Sequence, residues 1–175
     1  MGDVLRISDA GARIEIDRGA PVVGAAETSI GAPITTVWRL LSDLERWPEW
    51  NRDISMLRLD GPVQAGTTFR WRSGSSRIVS CLEEVEAPHR IAWTGRTMGI
   101  RAVHVFELEE ADRVTRVRTE ESFEGLVARA MRRALRKRLA RDLAEGLGAL
   151  KIEAERQATI GDSFKENAPL VGQVH

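Results

Sequence analysis

His104 and Glu121 are the two side chains whose types and spacing could do chemistry together. Each lies in an alternating run. Ile100, Ala102, His104, Phe106 and Leu108 share one side of an extended segment, and Thr115, Val117, Thr119, Glu121 and Phe123 share one side of the next. A two-residue turn at Asp112-Arg113 sets Glu107 across from Arg118 and Glu109 across from Arg116, so opposite charges match on the outside. That register puts His104 opposite Glu121 on the inner face. A turn at Met98-Gly99 likewise pairs Trp93 with His104 and Ile91 with Phe106. A histidine beside a carboxylate under apolar walls can transfer protons, with His104 as base and Glu121 as its orienter. The plainer reading is a structural ion pair within a sheet, because no nucleophile accompanies the pair. Polar groups so placed also serve to orient a ligand carbonyl or hydroxyl.

The elements that must position this pair are legible from periodicity. Val22 to Ile30 reads as a first strand. Pro33 then opens a short helix with Ile34, Val37, Trp38, Leu40, Leu41 and Leu44 on one stripe, and Pro48 ends the helical stretch. A loop, Trp47-Pro48-Glu49-Trp50-Asn51, places Trp50 where an indole could close over an apolar ligand, with one of its two tryptophans exposed. Six strands follow: Ile54 to Leu59, Thr67 to Arg72, Arg77 to Val85, Arg90 to Thr97, Ile100 to Glu109 and Val114 to Phe123. Their short connections make neighbours antiparallel. A parity change between Leu82 and Val85 predicts a bulge near Glu83-Glu84. From Leu126 to about Arg156 the period is helical, with Val127, Met131, Leu135, Leu139, Leu143, Leu147 and Leu150 on one face. Residues 1–20 form an N-terminal extension whose runs, Val4 to Ser8 and Ala12 to Asp17, alternate as a hairpin would; 21–157 is the main domain; 158–175 has no period and reads as a disordered tail.

Composition excludes several function classes. Lysine plus arginine equals aspartate plus glutamate, 26 each, so no global field draws the chain to nucleic acid. The seven bases from Arg129 to Arg141 read as a solvated helix face. Cys81 is the only cysteine, which removes disulfides and thiolate clusters and suits a reducing, cytoplasmic setting. The chain begins without a basic-then-apolar signal pattern and has no membrane-spanning run, so integral membrane association is not expected. Phosphate-binding glycine loops, zinc spacings and a nucleophile elbow are absent, tyrosine is absent, and the three histidines are scattered, so neither a metal nor a cofactor is expected.

One strand, two short helices, six strands and one long C-terminal helix resemble the helix-grip fold of the START-like and birch-pollen-allergen-like superfamily, SRPBCC. The residues that carry the likeness are Ala32 to Asp43, Trp47 to Asn51, Gly66 to Phe69, Glu84 to Pro88 with Trp93, and Thr115 to Glu121. Within it, the chain is most similar to the polyketide cyclase/dehydrase branch. The resemblance implies an α+β fold with a curved antiparallel sheet around the long helix and a cavity between them for a small apolar molecule. Strand and helix faces then place Phe69, Trp71, Trp93, Phe106 and Phe123 on the concave side with Met131 and Leu135 of the helix. Three functions follow: a binder of an apolar or aromatic, polyketide-like or lipid-like molecule; a cyclase or dehydratase using His104 and Glu121; and a membrane or partner module using the basic helix.

Overall fold

The structure, a computed structural model, describes residues 13–112 and 114–166, with side chains through 160. Seven strands form one antiparallel sheet in the order β1-β7-β6-β5-β4-β3-β2: β1 (Val22–Ile30), β2 (Ile54–Leu59), β3 (Thr68–Ser73), β4 (Ser76–Glu86), β5 (Arg90–Thr97), β6 (Ile100–Ala111) and β7 (Val114–Glu124). Between β1 and β2 come α1 (Ile34–Ser42), a single 3-10 turn (Leu44–Arg46) and α2 (Trp47–Trp50). After β7 come α3 (Leu126–Ala130) and α4 (Arg132–Glu166). The architecture is the helix-grip arrangement, with α4 held in the concave side of the curved sheet.

Both hairpin registers hold. His104 pairs with Glu121, Glu107 with Arg118 and Glu109 with Arg116. Trp93 pairs with His104 and Ile91 with Phe106. The register slips between Leu82 and Glu84, where the change of parity predicts a bulge.

Three differences from the sequence reading have local causes. Pro48 does not end a helix; it lies in the first turn of α2, where a missing N–H costs nothing. The long helix is interrupted at Met131 (φ −106°, ψ 20°), yet Ala128 before the break and Leu139 and Leu143 after it enter one cluster with Val22. The expected tail starting at 158 is helical to Glu166, and 167–175 lie outside the described residues. The hairpin expected in the N-terminal extension falls mostly on residues 1–12, also outside them; residues 13–17 form no strand.

Residues 13–20 strap the convex side of the sheet. Ile14 and Ile16 cover Ala92 and Val105, the Asp17 N–H donates to Ser122 Oγ at 3.2 Å, and Arg18 pairs with Glu120. On the concave side α1 packs Ile34, Val37 and Leu41 with Ile30, Leu108, Val117, Leu147 and Leu150, closing one end of the sheet. Gly24 permits α4 to lie close on β1, because a Cβ there would meet Leu139 Cγ at 2.8 Å. Gly125, with φ 112°, makes the sharp passage from β7 to α3 against the β5–β6 turn.

Candidate functional site

Between the sheet and α4 lies a cavity of about 530 Å³, bordered at one end by residues of the β3–β4 and β5–β6 turns. Its size falls within the range of small-molecule sites. The room comes from short side chains in register: Ser80 pairs with Gly95, and Gly95 with Ala102, across β4, β5 and β6. Gly146 of α4 also faces the space, where a Cβ would meet nothing nearer than Asn51 Nδ2 at 3.9 Å. A glycine inside a strand or helix weakens it, so its presence here marks a need for room.

Of the residues expected at the site, Trp50, Trp71, Trp93, His104, Phe106, Glu121, Phe123 and Leu135 line the cavity together. Two do not. Phe69 has the expected concave parity but is fully buried beneath Trp71 and Trp93 as core. Met131 sits at the helix break and is exposed, because the interruption takes it off the stripe shared by Leu135 and Leu139. Trp47 is buried and also reaches the wall, its indole N–H donating to Leu41 O at 3.1 Å.

His104 is the centre of the inner wall. Its ring lies 4.5 Å from Trp93 and stacks on Phe106 at 4.9 Å, centroid to centroid. Nε2 is 2.7 Å from Thr119 Oγ1, and the Thr119 hydroxyl also lies 3.2 Å from Val105 O. The hydroxyl has one proton. Directed to Val105 it leaves Nε2 as the donor; turned to Nε2 it leaves the proton on Nδ1. Thr119 thereby couples its own rotation to the imidazole tautomer, a role invisible to pair register alone because it sits diagonally from His104. Nδ1 faces Glu121 Oε2 at 3.5 Å, close enough for an ion pair but outside hydrogen-bond geometry. Nδ1 and the Trp50 indole nitrogen are both buried with no hydrogen-bond partner. Each such orphan costs about 1–3 kcal/mol.

The mouth is polar. The Gly74 N–H donates to Asp53 O at 3.0 Å, fastening the β3–β4 turn to the start of β2. Opposite it, Arg138 and Arg141 of α4 hold Asp142 at 3.2 and 3.1 Å. Hydrogen bonding to Asp142, reinforced by the charges of Asp142 and Glu145, raises the Arg141 guanidinium above its ordinary value. These two arginines are not merely a solvated face, as the run of bases alone suggests; they rim the cavity. Burial, with the nearby Glu83 charge, pushes the Cys81 thiol up and makes it a poor nucleophile. Among the described residues no group of His, Cys, Asp and Glu converges to hold a metal ion.

The fold is shared by solved structures of low sequence identity. A hypothetical protein from Helicobacter pylori is 19% identical with a TM-score of 0.71, covering 82% of this chain and 98% of its own. A START superfamily protein from Mycobacterium smegmatis is 15% identical with a TM-score of 0.66, covering 77% of this chain and 98% of its own. Ara h 8.0201 is 12% identical with a TM-score of 0.56, covering 73% and 96%. The curved sheet and its long C-terminal helix thus give the chain the same helix-grip fold as these structures. Residues 22–155 match the family described as polyketide cyclase / dehydrase and lipid transport, and the chain belongs to that family. Among curated proteins none matches the sequence.

Proposed function

We propose that the protein binds a small apolar or aromatic molecule, polyketide-like or lipid-like, between its sheet and α4. The observation that carries the reading is a roomy aromatic cavity between sheet and helix, with one buried polar atom in each of two lining residues, His104 Nδ1 and Trp50 Nε1, left without a hydrogen-bond partner. A packed core leaves neither space nor orphans. The rings of Trp71, Trp93, Phe106 and Phe123 supply the apolar contact, and the polar lining residues His104 and Glu121 can orient a ligand hydroxyl or carbonyl between them. The membership in a family described by both cyclase/dehydrase activity and lipid transport supports this ligand class. The single free thiol, Cys81, suits a cytoplasmic setting.

The test is mass spectrometry of solvent-extracted protein, paired with tryptophan fluorescence as an apolar probe is added. A bound apolar molecule, or a saturable fluorescence change at one site, is expected. Protein that carries nothing and leaves its tryptophan emission unmoved by probes would sink the reading.

One arrangement favours a second reading, proton transfer on the bound molecule. Thr119, His104 and Glu121 form a chain in which the imidazole has one nitrogen on a hydroxyl and the other toward a carboxylate. For an enzyme, Glu121→Gln abolishes turnover of an aromatic polyketide while leaving its binding within a few-fold. Equal loss of both assigns the pair to binding alone.

A further inference from the structure

The β5–β6 turn, α3 and the first turns of α4 meet at one end of the sheet. Gly125, at the head of α3, abuts Gly99 O of that turn, and a Cβ on Gly99 would lie 3.4 Å from Val127 of α3. Three large apolar side chains project into solvent here: Met98 is 80% exposed, Leu126 84% and Met131 53%. Beside them Arg129, Arg132, Arg133, Arg136 and Lys137 are all exposed. The sequence has no acid between Glu124 and Asp142. Among the described residues the ion pairs of α4 start at Arg138, and Arg136 spends its Nε on Pro21 O rather than on a carboxylate. In a chain of zero net charge, this is a local block of unneutralised bases around an exposed apolar tip.

We propose that this end of the molecule docks on an anionic lipid bilayer, with Met98 and Leu126 entering the interfacial layer and the five bases over headgroup phosphates. Cations next to projecting apolar side chains are the requirement of an anionic membrane surface. A nucleic acid backbone would use the bases and leave Leu126 and Met98 in water, so the apolar tip argues for lipid. Thr97 and Ile100, which flank the turn, also line the cavity, so docking brings that part of the cavity wall close to the bilayer. The docking claim does not depend on what the cavity binds.

The experiment is co-sedimentation of the full chain with phosphatidylcholine vesicles and with vesicles of phosphatidylcholine plus phosphatidylglycerol. Binding is expected to the anionic vesicles only, and to fall as salt rises. Arg132→Gln with Arg133→Gln should weaken it about fivefold per charge. Leu126→Ser should weaken it about tenfold. All three positions are exposed, so the melting temperature should stay unchanged. Absence of binding, equal binding to neutral vesicles, or indifference to the arginine substitutions would overturn the proposal. So would duplex DNA that displaces the vesicles while Leu126→Ser binds them like the parent protein, which would make the patch a general polyanion site.

Discussion

Two buried polar clusters lie on opposite faces of the same two strands, and they are finished differently. On the convex face Arg90 of β5 is fully buried, and its guanidinium meets Glu84 at 3.0 Å, Glu107 at 2.5 Å, Glu15 at 3.3 Å and the Ile14 carbonyl of the N-terminal strap. Burial opposes its charge, but the Glu84 hydrogen bond and the charges of Glu84, Glu15 and Glu107 outweigh that and hold its pKa above the ordinary value. On the concave face His104 of β6 has one nitrogen satisfied and one orphaned. A saturated network needs no further partner and serves the fold. An unsaturated one beside empty space is where a ligand has something to add. The same sheet thus carries a structural polar cluster under its strap and a receptive one inside its cavity.

The largest expected effect breaks the saturated side. Arg90→Met leaves Glu84 and the Ile14 carbonyl without their buried cation, and should cost about 3 kcal/mol, the lower end for such a lesion because Glu15 and Glu107 reach solvent. Urea unfolding measures it, and apolar probe binding to the undamaged cavity should persist below the transition.

On the receptive side, Gly146→Leu places a side chain into the cavity from the middle of α4. Removing a helical glycine favours the helix by up to about 1 kcal/mol. Stability should therefore hold or rise while probe affinity falls by roughly tenfold or more. A loss of stability in step with binding would mean that the space is packed core.

Smaller effects separate the two orphans. Trp50→Phe keeps an aromatic ring and removes the indole N–H. It should weaken a hydroxyl- or carbonyl-bearing ligand by about tenfold, the worth of one hydrogen bond, and leave a pure hydrocarbon probe nearly unaffected. Titration calorimetry with a matched pair of probes reads the difference.

The least effect lies away from both clusters. Glu153 on α4 is held below the usual carboxylate range by the Arg156 hydrogen bond, with burial opposing and Gln157 assisting. A carboxyl depressed in the folded state adds stability above its unfolded pKa and loses it as pH falls through the folded one. Glu153→Gln should thus lower the melting temperature slightly at neutral pH and not at all at pH values below the carboxylate range.

Much of this was readable from residue order. The seven strands, the bulge at Leu82/Glu84 and the pairing of His104 with Glu121 follow from alternation and from two-residue turns, which leave little freedom in register. The likeness to the helix-grip superfamily rested on that same order of elements. What stayed hidden were features with no local signature. Thr119 reaches His104 diagonally, and Ser80, Gly95 and Ala102 look ordinary one at a time. Arg138 and Arg141 differ from the other bases of their helix only by facing the mouth.

Periodicity therefore determined the elements, their pairing and which face each side chain takes, because those depend on backbone geometry within a few residues or across one turn. Only the tertiary structure decided which concave residues meet a cavity and which are core, as Trp71 and Phe69 show on one strand. It also decided where the long helix breaks, how far it runs past Arg156, and that Ile14 and Glu15 lie over Arg90. Empty space is a difference between the volumes that several distant segments contribute, and a buried atom is an orphan only relative to all its neighbours, so neither is a property of any one stretch of sequence.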